Sequence, residues 1–125
     1  MTDPVKHILV VEDAAELRDA VRIMLVDAGF RVSLAEDGDQ ALRILQADPL
    51  PDAVLLDVLM PEMDGAEFLS RVREQPRLAN IRVGVMTGIA TSLVAKLIRA
   101  DVFLFKPFAE RELLQAVREL LRAPR

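Results

Sequence analysis

The sequence has no cysteine and a single histidine, His7, in 125 residues. Without thiols there is no disulfide framework, no thiolate zinc site and no thiol nucleophile. One imidazole cannot build a His-rich metal site or a catalytic histidine pair. No apolar run approaches the ~20 residues that a membrane-spanning helix needs. The opening Met1-Thr2-Asp3-Pro4 lacks the basic and apolar regions of a secretory leader, so a cytoplasmic protein is expected. Low-complexity stretches, an interdomain linker and fixed-period repeats are also missing. Positive charge is in deficit, with 16 Lys plus Arg against 20 Asp plus Glu. The net charge of −4 argues against nucleic acid as a direct partner of this chain. What is present is a globular composition, 52% hydrophobic and 29% charged. That supports one cored domain over residues 1–125, its core at about 6–121.

Five short apolar runs rich in β-branched residues read as strands: Ile8 to Val11, Val32 to Ala35, Ala53 to Leu56, Val83 to Met86 and Val102 to Phe105. The first, third and fifth are almost continuously apolar, which suits strands buried on both faces of a parallel sheet. Helical stripes lie between them. One runs through Leu17, Val21, Met24 and Leu25, and Gly29 stops it. Others are Ala41, Leu42 and Leu45; Phe68, Leu69 and Val72; Leu93, Val94, Leu97 and Ile98; and Leu113, Leu114, Val117, Leu120 and Leu121. Strict β-α alternation, repeated five times, implies an α/β fold with helices on both faces of the sheet. The doubly wound five-stranded order 2-1-3-4-5 fits the chain.

In such a sheet a site forms beyond the carboxyl ends of the strands. Glu12 and Asp13 follow the first run, Asp57 follows the third, Thr87 and Gly88 follow the fourth, and Lys106 follows the fifth. Three crowded carboxylates repel one another and call for a cation. Oxygen-only ligands select Mg²⁺, with Mn²⁺ as a substitute. Asp13 and Asp57 can each supply an oxygen, a loop carbonyl near Leu59 another, and Glu12 can hold a metal-bound water. Asp57, fixed at the end of a buried strand, is placed to act as a nucleophile toward phosphorus. Lys106 and the Thr87 hydroxyl are suited to the oxygens of a transferred phosphoryl group.

Four motifs occur in this order: Ile8-Leu9-Val10-Val11-Glu12-Asp13, Leu55-Leu56-Asp57-Val58-Leu59-Met60-Pro61 running on to Gly65, Met86-Thr87, and Phe103-Leu104-Phe105-Lys106-Pro107. Together they resemble the receiver (CheY-like) domain of two-component response regulators over nearly the whole chain. The resemblance implies that Asp57 is the phosphoacceptor, charged by a sensor histidine kinase or a histidine phosphotransfer protein. It makes Glu12 and Asp13 the acidic metal pair, with Asp57 and the Leu59 carbonyl completing the set. It makes Thr87 the switch hydroxyl, Phe103 the switch aromatic and Lys106-Pro107 a cis peptide. It implies no enzymatic turnover beyond self-phosphorylation from a phosphodonor and self-dephosphorylation. A monomer or weak dimer acting on a protein partner or an output domain is expected.

The chain departs from the family pattern in two places. Only 14 residues, 88 to 101, lie between Thr87 at the end of the fourth strand and the fifth run, and Ile98-Arg99-Ala100-Asp101 stands where relatives often have Ala-Gly-Ala-Asp. The fourth helix or its preceding loop is therefore expected to be shortened or reshaped. By the resemblance, Leu59 and Ile89 occupy positions that in the family influence how water reaches the phosphoryl group, and neither side chain can orient a water. Slow self-dephosphorylation follows. Three other functions compete. An Asp-dependent phosphohydrolase usually has a second Asp where Leu59 stands. A flavodoxin-type nucleotide module needs a phosphate-cradling loop where Glu12-Asp13-Ala14-Ala15 stands. A receiver-shaped interaction module that is never phosphorylated often loses part of the acid, Thr and Lys set. The chain ends soon after the last stripe, which fits a single-domain regulator or a piece of a longer one.

Overall fold

A computed structural model of the chain describes residues 4–57, 65–88 and 100–123. Its parallel strands are β1 (His7–Val11), β2 (Arg31–Ala35), β3 (Ala53–Asp57), β4 (Arg82–Thr87) and β5 (Val102–Phe105). They form one sheet in the order β2-β1-β3-β4-β5. The helices are α1 (Ala15–Asp27), α2 (Gly38–Ile44), α3 (Gly65–Glu74) and α4 (Glu110–Arg122), and a 3-10 turn at Pro76–Leu78 follows α3. The order and the strands agree with the apolar runs to within a residue at each end. The helix expected on Leu93, Val94, Leu97 and Ile98 lies outside the described residues, as does most of the 88 to 101 crossover. Among the described residues no helix is long and apolar enough to cross a membrane.

Alternation along the strands divides the core in two. Leu9 and Val11 of β1, Val54 and Leu56 of β3, and Val83 and Val85 of β4 pack with Ala41 of α2 and Phe68, Leu69 and Val72 of α3. Ile8, Val10, Ala53, Leu55 and Met86 face the other way, toward Val21 and Leu25 of α1 and Leu113, Val117 and Leu120 of α4. Each fully buried Val, Leu, Ile, Phe or Met among them stabilises the fold by roughly 1.5–3 kcal/mol relative to exposure. The central strands β1, β3 and β4 are therefore covered on both faces, and their ends are left for chemistry.

One expectation is corrected. β5 is not buried on both faces: it is an edge strand, Val102 and Phe103 are half-buried, and Phe105 is 46% exposed. The strand sealed on both faces beside β1 and β3 is β4, which is buried from Val83 to Thr87. Position in the sheet decides burial here, and an apolar run alone does not reveal it.

Two glycines have geometric reasons. Gly29 takes φ +98°, a left-handed conformation that ends α1. Its N–H donates to the Val26 carbonyl and the Phe30 N–H to the Leu25 carbonyl, each at 3.0 Å, which is a Schellman closure. A Cβ on Gly84 would lie 3.1 Å from Leu120 Cδ2 and 3.2 Å from Leu55 Cδ2, so glycine lets α4 pack closely on β4.

Candidate functional site

Because every strand runs the same way, their carboxyl ends share one edge of the sheet. Glu12 directly follows β1 and is fully buried. Asp57 closes β3 and Thr87 closes β4, and both are nearly buried. Asp13 is exposed at the rim. One carboxylate oxygen from each of Glu12, Asp13 and Asp57 lies within 4.8 Å of the others. Lys106, one residue past β5, donates from Nζ to Glu12 Oε1 at 2.9 Å and stands 3.5 Å from Asp57 Oδ2. The second Glu12 oxygen, Oε2, accepts the Ala14 N–H at 3.2 Å. The Lys106 N–H donates to the Thr87 carbonyl at 2.7 Å, which ties the tails of β4 and β5 together. The Lys106-Pro107 peptide is cis, as is Asp48-Pro49. Phe103 is half-buried against the α2–α3 side of the core, not exposed like Phe105. Leu59 and Ile89 lie outside the described residues.

Among the described residues the cluster is electrically lopsided, with three carboxylates beside one ammonium. Burial of the Lys106 amine works against its charge. The hydrogen bond to Glu12 and the negative charges of Asp57 and Glu12 outweigh burial and hold its pKa above the ordinary value. Negative charge still exceeds positive, and the donors are all oxygen. That is the donor set of a hard divalent cation, so the residues present fit Mg²⁺.

Sequence reasoning missed one neighbour of the cluster. Arg18, in the second turn of α1, donates from Nη1 to the carbonyl of Glu12 at 2.9 Å and that of Asp13 at 3.3 Å. Its Nη2 is 3.6 Å from Glu36 Oε1, just beyond β2, and its side chain is 15% exposed. The available signal was a long cation early in the helix that follows an acidic pair.

The family model for the response regulator receiver domain matches residues 8–118. The chain belongs to that family. The receiver domain is 38% identical over 128 residues to the alkaline phosphatase synthesis transcriptional regulatory protein SphR of Synechococcus elongatus, covering 95% of this chain and 50% of that protein. It is 42% identical over 117 residues to the response regulator MprA of Mycolicibacterium vanbaalenii, covering 93% and 50%. The chain thus spans about half the length of the curated relatives it matches. Among solved structures it resembles the Vibrio cholerae chemotaxis protein CheY4 with a TM-score of 0.88 at 30% identity, covering 94% of this chain and 99% of that one. It also resembles the signal receiver domain of a signal transduction histidine kinase from Syntrophus aciditrophicus, with a TM-score of 0.85 at 32% identity, covering 94% and 90%. Receiver domains are in general signalling modules rather than enzymes, and they bind Mg²⁺ through acidic residues.

Proposed function

We propose that this receiver domain accepts a phosphoryl group on Asp57 from a phosphohistidine of a sensor kinase or a phosphotransfer protein. The observation that carries the reading is a nearly buried Asp57 at the end of β3 with the Lys106 ammonium 3.5 Å from its Oδ2. An Asp57 oxygen attacks phosphorus and forms an acyl phosphate. The phosphorus–nitrogen bond breaks, and the departing imidazole takes a proton from solvent. Lys106 neutralises charge on one phosphoryl oxygen, and the Thr87 hydroxyl donates to another. Glu12, Asp13, Asp57 and the Leu59 carbonyl would hold Mg²⁺, or Mn²⁺ in its place, whose charge offsets that of the phosphoryl oxygens. Thr87 then draws inward over the new phosphoryl group and Phe103 follows, which shifts a two-state equilibrium read by a partner or an output domain. The name of one relative, a transcriptional regulatory protein, makes transcriptional control the first output to examine in a longer form of the protein.

The test is intact-mass analysis after exposure to a small phosphodonor. Wild type with Mg²⁺ gains one phosphoryl mass, whereas Asp57→Asn and a chelator-treated wild type gain none. Modification of Asp57→Asn at the wild-type level ends the proposal. The apolar Leu59 and Ile89 predict slow loss of the phosphoryl group. Its half-life, followed by mass, is longer in wild type than in Leu59→Asn. Equal half-lives remove these side chains from the account.

A further inference from the structure

Arg18 lies outside the proposed reaction, yet it grips the backbone of the two acids that open the site. Its Nη1 donates to the carbonyls of Glu12 and Asp13, and its Nη2 faces Glu36 beyond β2. The same stretch is pinned from another side, where the Glu12 N–H donates to the Ala35 carbonyl at 3.0 Å. Peptide planes at 12 and 13 are thereby held by an arginine from α1 and by the end of β2. A planar guanidinium whose Nη1 bridges two successive carbonyls while its Nη2 faces Glu36 restrains orientation in a way that a point charge does not. Where the carbonyls are fixed, the directions of the attached side chains are fixed too. Asp13, exposed at the rim and without the packing that surrounds Glu12, depends most on this restraint.

We propose that Arg18 is a positioning residue for divalent-cation binding: it holds the Glu12–Asp13 backbone so that both carboxylates face Asp57. The inference rests on the reading of those acids as the Mg²⁺ site. Electrostatics alone gives the opposite sign. Removing a cation beside an acidic cluster raises local negative potential and tightens Mg²⁺ binding. Removing a brace weakens it. The sign of the change therefore separates a positioning role from a simple charge effect, and a purely structural role lowers thermal stability without moving affinity.

The experiment is calorimetric titration of the phosphate-free protein with MgCl2. Four proteins are compared: wild type, Arg18→Gln, Arg18→Lys and Arg22→Gln. Arg22 is the control, because it is an exposed α1 arginine that pairs with Asp19 one turn away on the same helix. Arg18→Gln is expected to raise the Mg²⁺ Kd about tenfold, the lower end of the usual loss for an outer-shell partner. Arg18→Lys keeps the charge but not the fork, so it raises Kd by a smaller factor. Arg22→Gln leaves Kd unchanged. If Arg18→Gln is too unstable to titrate, Arg18→Lys carries the decision alone. An unchanged or lower Kd in the Arg18 variants overturns the inference while the Mg²⁺ reading stands. Failure of wild type to bind Mg²⁺ removes both, and that outcome is recognised before any variant is measured.

Discussion

Charged side chains gather at both ends of the sheet, and the two ends use them differently. At the amino end several charged side chains have dedicated partners. Asp52 Oδ2 accepts the His7 backbone N–H at 2.8 Å, and His7 Nε2 shares a 2.7 Å hydrogen bond with Ser33 Oγ. Arg77 pairs with Asp48 at 2.6 Å, and Arg82 donates to the Ala123 carbonyl at 3.1 Å. Arg73 donates to the carbonyls of Ala79 and Ile81 while facing Asp101 at 3.7 Å. Those contacts close loops and anchor segments. At the carboxyl end Glu12 and Asp57 share the Lys106 ammonium with Asp13 close by, so that among the described residues three clustered carboxylates face one ammonium. A fold that wanted only stability would not bury Glu12 beside Asp57. The amino end is organised for cohesion, and the carboxyl end holds a charge imbalance that a cation and a phosphoryl group can exploit.

The comparison breaks most visibly at Lys106. Replacement by Met leaves the fully buried Glu12 without its ammonium partner. Truncating one partner of a buried ion pair typically costs about 3–5 kcal/mol. The Lys106 side chain is 26% exposed, so solvent screening brings the expected loss down to about 2 kcal/mol. MgCl2 recovers more stability in Lys106→Met than it adds to wild type, because the variant has lost its internal cation. Urea unfolding with and without MgCl2 reads both effects. A variant as stable as wild type without metal means that Lys106 is not the counterion of this cluster.

The matching change at the other end is Asp52→Ala, which strands the half-buried His7 N–H. A hydrogen bond to a charged group contributes about 1.5–3 kcal/mol. Because the site is partly open to water, the lower figure is expected in urea unfolding. Mg²⁺ affinity by calorimetry stays at the wild-type value. A change in that affinity means that the two ends are coupled through β1 and are not separate devices.

The carboxyl end was far more legible in the sequence than the amino end, for a topological reason. Once the β-α alternation is read, a parallel sheet brings Glu12, Asp13, Asp57, Thr87 and Lys106 to one edge whatever the loops do. The amino-end pairs follow from no such rule. His7 and Asp52, Arg77 and Asp48, and Arg82 and Ala123 are separated by 45, 29 and 41 positions. Two of these contacts use a backbone group as donor or acceptor, which leaves no mark on residue type. Arg18 escaped for the same reason, because its acceptors at Glu12 and Asp13 are carbonyls. The exposure of Phe105 escaped because an apolar run reports what a strand is made of and not which neighbours it keeps.

The smallest effect concerns pH and the amino end alone. Folding lowers the pKa of His7, chiefly because burial disfavours the imidazolium. The positive charge of Arg31 adds to this, and Asp52 opposes it. The unfolded chain therefore takes up this proton at higher pH than the folded one. The contribution of neutral His7 to stability is complete above the ordinary histidine value of about 6.5 and is lost as pH falls through the folded pKa. His7→Gln retains a polar group toward Ser33 but cannot titrate. Thermal unfolding from pH 7.5 down to 5.5 should lower Tm less in His7→Gln than in wild type. The carboxylates common to both proteins cancel in that difference. Parallel curves would show that the imidazole keeps its proton equilibrium on folding, and with it that burial at the amino end is too shallow to penalise charge. Divergence in the stated direction would show that burial penalises charge at the amino end, whereas at the carboxyl end the neighbouring acids keep Lys106 charged in spite of burial.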